Sequence, residues 1–184
     1  MSSVIRNKSV EFDEDAILRA KKLLESIPIP SVEKVEPIEV FISLCETEPN
    51  LRLVEQVIDP FLTILGFRVH YYRKDVSFGI PKEQLESIMD LCEIIIGLYT
   101  RESYSEEKDE YSPAGNVVKE MGREKPENKF IFYEEKVHVE TLTFPEIPSL
   151  PFTRDNYAKL LLDLINILNN SKFCRIKASR KNIE

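Results

Sequence analysis

Apolar residues recur along this chain with two different spacings. Over 14–26 they fall at Ile17, Ala20, Leu23 and Leu24, which is one stripe of a helix, and Asp13 stands where a side chain can cap it. "IPIPSVEKVEP" follows, and three prolines in eleven residues forbid a continuing helix there. Next comes "IEVFISL", β-branched and apolar enough for a strand buried on both faces. The helical period returns over 50–65 with Leu51, Val54, Ile58, Leu62 and Leu65; Pro60 is expected to kink this helix or mark its midpoint, and Gly66 ends it. "FRVHYY" reads as a second strand, "RKDVSFGIP" as a loop, and Pro81 as the opening of a helix to about Asp90. "EIIIGLYT" is a third buried strand.

"RESYSEEKDEY" then reads as an exposed acidic loop, "SPAGNVVKEMGRE" as a helix, and "KFIFYEE" as a fourth strand. A short fifth strand is expected near 147–152. A last helix follows, starting at Thr153 or Asp155, with Tyr157, Leu160, Leu161, Leu164, Ile167 and Leu168 on its apolar face. Short apolar strands alternating with helical returns predict an α/β, flavodoxin-like three-layer sandwich. Its parallel sheet would have four or five strands in the order 2-1-3-4-5. Residues 1–37 form an N-terminal helix and proline-rich brace, 38–170 the α/β domain, and 171–184 a basic tail. Ligands of such sheets bind beyond the carboxyl ends of the strands, near the switch between strands one and three. That rule selects the segments after Leu44, Tyr72 and Thr100.

Charge and cysteine usage narrow the partners. The formal net charge is -7 with no basic stripe, which argues against nucleic acid and anionic membrane. Three scattered cysteines suit neither a disulfide framework nor a zinc site, and His70 and His138 stand alone, so no metal is expected. No apolar run reaches membrane-spanning length, and the expected location is cytoplasmic. The chain has no G-x-G-x-x-G, no G-x-x-x-x-G-K-[ST] and no G-x-S-x-G. Strand three ends in Tyr99 and Thr100, where a phosphoacceptor domain needs an aspartate.

A carboxylate remains. Ser112, Asn116 and Glu120 fall at i, i+4 and i+8 of the predicted helix, beside the Val117 and Met121 stripe that faces the sheet. Glu120 is thereby placed between core and cleft, where burial would raise its pKa. Ser112-Pro113 is a helix start at which phosphate could meet backbone N–H groups.

From about Ile38 to Asn170 the chain resembles the Toll-interleukin receptor (TIR) and TIR-like superfamily, in its microbial nucleotide-binding branch. "VFISL" looks like the family's first strand, with Ser43 in the place of a small hydroxyl residue. "VIDPFLTILGFRVHYYRKDVSFG" resembles its first helix, second strand and following loop. "IPKEQLESIMDLCEIIIGLYT" resembles the helix leading into strand three, with Cys92-Glu93 where many relatives carry Ser-Asp. "SPAGNVVKEMG" resembles the relatives' Ser-Pro, Asn-Val, Glu-apolar-Gly helix, and the catalytic glutamate of enzymatic members falls on Glu120.

The resemblance implies cleavage of the nicotinamide–ribose bond of NAD, with NAD as substrate and no resident cofactor. It makes Glu120 the catalytic carboxylate and places Ser43, Arg73, Phe78, Ser112 and Asn116 around the nucleotide. Ser43 would donate to a ribose or phosphate oxygen, Arg73 with Lys74 would meet the pyrophosphate, and Phe78 would stack on a base, as could Tyr72 or Tyr111. Asn116 would orient Glu120 or a ribose hydroxyl. The family also implies a homo-oligomer, and two alternatives stand beside the hydrolase. One is a non-catalytic self-association module for signalling. The other is a nucleoside deoxyribosyltransferase-like enzyme, which would pair Glu120 with an aspartate, Asp75 being the one nearby candidate.

Overall fold

Strand and helix alternate through the computed structural model, which describes residues 13–26, 36–73, 82–139 and 146–170. Helix α1 covers Glu14–Ser26 and is capped as expected: the backbone N–H of Ala16 donates to Asp13 Oδ1 at 2.8 Å. Strand β1 is Ile38–Ser43. One continuous helical rod follows, made of α2 (Glu48–Leu53), a π-helical turn (Val54–Ile58) and α3 (Asp59–Ile64). Pro60 has no N–H to give the carbonyl one turn back, and the rod absorbs this by widening just before it instead of breaking. Gly66, with φ of +85°, ends the rod in the left-handed region that other residues avoid.

Strand β2 (Phe67–Tyr71), helix α4 (Lys82–Leu91) and strand β3 (Ile94–Tyr99) come next. The acidic segment expected to be a loop is instead an antiparallel hairpin of β4 (Ser103–Ser105) and β5 (Glu110–Ser112). Tyr104 and Tyr111 pair across it with ring centroids 5.0 Å apart, an aromatic cross-strand contact that favours pairing. Asp109, at φ 50°, makes its turn. The hairpin also leans on the residues after the next strand: Tyr111 N–H donates to the Lys136 carbonyl at 2.9 Å, and His138 N–H to the Tyr111 carbonyl at 2.7 Å.

Helix α5 covers Gly115–Met121, shorter than the thirteen-residue stretch read from sequence. Strands β6 (Asn128–Glu134) and β7 (Ser149–Phe152) complete the sheet, and α6 (Tyr157–Asn170) closes the described fold. Asn156 caps α6, accepting from the N–H of Lys159 at 3.2 Å, in place of the expected Thr153 or Asp155.

The five main strands are parallel and lie in the order β2-β1-β3-β6-β7, the expected 2-1-3-4-5. The chain is thus a three-layer α/β sandwich of flavodoxin-like topology with an added N-terminal helix. Alternate residues of each central strand feed opposite layers. Val40, Ile42, Ile96, Leu98 and Phe132 face α1, the α2–α3 rod and α6. Phe41, Ile95, Tyr99 and Ile131 face α4 and α5. The proline brace over 27–35 and the tail from 171 lie outside the described residues.

Candidate functional site at the carboxyl rim of the sheet

The close approach of α5 to the sheet begins with Gly97. A Cβ built there would lie 2.7 Å from Met121 Sδ and 2.8 Å from its Cγ, so the missing side chain lets α5 lie directly over β3. Ser43, the last residue of β1, is the register partner of Gly97 on the neighbouring strand. Glu120 precedes Met121 and therefore comes down over Ser43, whose hydroxyl donates to Glu120 Oε2 at 2.5 Å. The length is that of a charge-assisted hydrogen bond. Burial pushes the Glu120 carboxyl above its ordinary value, opposed by the Ser43 hydroxyl and by the nearby Arg123 and Lys119 charges.

Gly97→Ala tests this geometry. The added methyl must displace Met121 and lift the C-terminal end of α5. Overpacking of this kind costs about 1–3 kcal/mol, read as a lowered urea midpoint at constant slope. A midpoint equal to that of the native chain would show that α5 does not depend on the close approach.

Asn116, one turn before Glu120, donates from Nδ2 to the Leu44 carbonyl at 3.4 Å, and so lies at the same rim while remaining exposed. The other expected residues are placed differently. Ser112 is not on the helix with Asn116 and Glu120. It ends β5 opposite Ser103, its carbonyl accepts from the N–H of Glu102 at 3.2 Å, and α5 begins only at Gly115. Hairpin pairing has captured the residue that the i, i+4, i+8 spacing assigned to a helix. Arg73 forms an ion pair with Glu55 on the π-helical turn and is anchored to the flank of the rod. Tyr72 packs against the α4–α5 layer, and Tyr111 lies in the hairpin under Arg101, whose guanidinium carbon is 5.7 Å from its ring centre. Phe78, Lys74 and Asp75 lie outside the described residues.

A buried polar cluster borders the same rim, and its Asn50, Glu134 and Arg154 were not singled out from sequence. Glu134 is fully buried at the end of β6, and Arg154 bridges to it through Nε (2.9 Å) and Nη2 (3.1 Å). Nη2 also donates to Asn50 Oδ1 at 2.8 Å. The Asn50 amide nitrogen then reaches the Cys45 carbonyl at 3.0 Å, Thr100 Oγ1 at 2.9 Å and Glu102 Oε1 at 3.1 Å. Arg101 adds a second cation, with Nε 3.2 Å from Glu134 Oε1. Sequence offered little signal: a Glu ending an apolar strand and an Asn beginning a helix are ordinary surface residues until the chain is folded.

The Cys45 and Cys92 thiols are poor nucleophiles. Burial, with Glu102 adding to it, pushes Cys45 up to about 12, and burial pushes Cys92 to a similar value. Among the described residues no group of three His, Cys, Asp or Glu side chains is disposed to hold a metal ion. A cavity of about 590 Å³ lies at the opposite, amino-terminal edge of β6, lined in part by Arg123, Lys129, Phe130 and Pro148. Ligands of parallel α/β sheets bind at the other edge, so size does not make this the site. No helix among the described residues is long and apolar enough to cross a membrane.

No protein-family model matches the chain, and neither the curated proteins nor the solved structures contain a match.

Proposed function

We propose that this is a TIR-like domain that hydrolyses the nicotinamide–ribose bond of NAD, with Glu120 as its catalytic carboxylate. One observation carries the reading. Glu120 is half-buried at the carboxyl end of β1 and is held by a hydroxyl, with no ion pair among the described residues. A half-buried carboxylate held by a hydroxyl and not paired with a cation is suited to a developing positive charge. The leaving group explains why one such group suffices. As the C1′–N bond breaks, its electron pair passes to the pyridinium nitrogen and nicotinamide departs neutral, so no general acid is required. The ribose is left oxocarbenium-like, and the fixed charge of Glu120 stabilises it. Water then adds at C1′ and releases a proton.

Ser43 restrains the carboxylate in this scheme, and Asn116 stands one turn away for a ribose hydroxyl. The same reading makes NAD the substrate of a cytoplasmic enzyme that works as a homo-oligomer. Its test is release of free nicotinamide from NAD by purified protein, at dilute and at high concentration. Base release from deoxynucleosides in place of NAD would identify a transferase. Reversible self-association with no turnover at any concentration would identify an assembly module.

Ser43→Ala is expected to lower NAD cleavage by about 10–100-fold, the worth of a hydrogen bond to a charged group. The acidic limb of its pH–rate profile is expected to move to higher pH, because the lost donor favours the charged carboxylate. A limb that stays in place while activity falls would separate Ser43 from Glu120.

A further inference from the structure

The chain leaving β1 is tied down at three consecutive residues. Ser43 Oγ donates to Glu120, the Leu44 carbonyl accepts from Asn116, and the Cys45 carbonyl accepts from Asn50. The first two ties run to α5. The third runs to the buried cluster, and through it to the segment after β3 and the end of β6. We propose that Asn50 is the positioning residue of this site: by gripping Cys45 and the Thr100–Glu102 segment together, it fixes where the Ser43 hydroxyl meets Glu120. The proposal rests on the hydrolase reading only for its kinetic consequence.

The donor and acceptor pattern around Asn50 demands an amide. Arg154 offers only donors, so it takes Oδ1. The nitrogen, with two protons, faces three acceptors: a carbonyl, the Thr100 hydroxyl and the Glu102 carboxylate. The Thr100 hydroxyl proton is itself directed at Glu102 Oε1, 2.7 Å away. An aspartate at position 50 would keep the Arg154 side and present a carboxylate to three acceptors on the other. The Asn50 side chain is completely buried, so water cannot repair the mismatch.

Asn50→Asp is therefore expected to repel Cys45 and Glu102 and release the rim, while Asn50→Asp with Glu102→Gln restores a donor opposite the carboxylate. Two readouts are taken on the full chain: kcat and KM for NAD cleavage, and the NMR titration of the Glu120 side chain. The single variant should lose about 10–100-fold in kcat with KM little changed, the usual consequence of a small misplacement. Its Glu120 midpoint should rise as the Ser43 donor is lost, and the double variant should recover most of both. A folded Asn50→Asp chain with an unmoved Glu120 midpoint overturns the proposal, as does a shift that Glu102→Gln fails to reverse. Should Asn50→Asp not fold, Thr100→Val removes one acceptor at little volume change, and an unmoved midpoint there overturns the proposal equally. A native chain that never cleaves NAD, but whose Glu120 midpoint follows this pattern, rejects the hydrolase reading and keeps the coupling.

Discussion

Replacing Glu120 with glutamine is expected to cut NAD cleavage by about 10²–10³-fold, in line with the loss of one preorganised electrostatic group, or about 2.7–4 kcal/mol. Glutamine keeps the shape and an oxygen to accept from Ser43, so only the charge is removed. The fold should be no weaker at neutral pH. Burial makes the carboxyl group bind its proton more tightly in the folded chain than in the unfolded one, where its ordinary value is 4.5. Its contribution to stability is therefore fully present below that value and is lost as pH rises through the higher folded one. Above that higher value the ionised group opposes folding, and a neutral amide relieves that opposition. Urea midpoints at acidic and neutral pH, read beside nicotinamide release, check both halves. Full activity in a folded Glu120→Gln protein would remove Glu120 from the chemistry. A large loss of stability at neutral pH would make the carboxylate a structural group.

Glu134→Gln is expected to cost about 3–5 kcal/mol of folding stability, the largest single effect foreseen outside the apolar core. Arg154 is itself buried, and its Nε and Nη2 both depend on the Glu134 carboxylate. The backbone N–H of Arg101 also donates to Glu134 Oε2, at 3.2 Å. Neutralising Glu134 leaves a guanidinium in the interior with no counter-charge of comparable burial among the described residues. Domains of this size are stable by only about 5–15 kcal/mol, so the variant should sit close to its unfolding transition at physiological temperature. Replacing both partners, Glu134→Leu with Arg154→Met, should recover much of the loss, because the desolvated charge disappears with its partner. Denaturant titration distinguishes the cases. A single variant within 1 kcal/mol of the native chain would mean that the pair is solvated in practice.

The two predictions bear on different parts of the rim. Glu120 is a half-buried carboxyl group whose burial works against its charged form. The Glu134–Arg154 pair is a buried girder whose removal loosens the carboxyl ends of β1, β3 and β6 together. Asn50 links the two, bonding both to the girder and to the segment leaving Ser43.

Strand order, both buried layers, the Asp13 cap and the Gly66 stop could all be read before folding, because each depends on local periodicity or on one residue's backbone freedom. Position 120 was legible for the same reason: it falls one residue from the Val117–Met121 stripe, and a short helix cannot turn it far from the sheet. Other features were not legible. Ser112 belongs to a hairpin because Ser103, nine residues earlier, is there to pair with it, and no helical spacing reports a competing strand. Arg73 is claimed by Glu55, eighteen residues away, and the cluster joining Asn50, Thr100, Glu134 and Arg154 draws on four separate segments of the chain. Periodicity speaks of which face a residue occupies. Which hydrogen-bond donor meets which acceptor is settled only when folding brings polar atoms from distant segments within about 3 Å of one another.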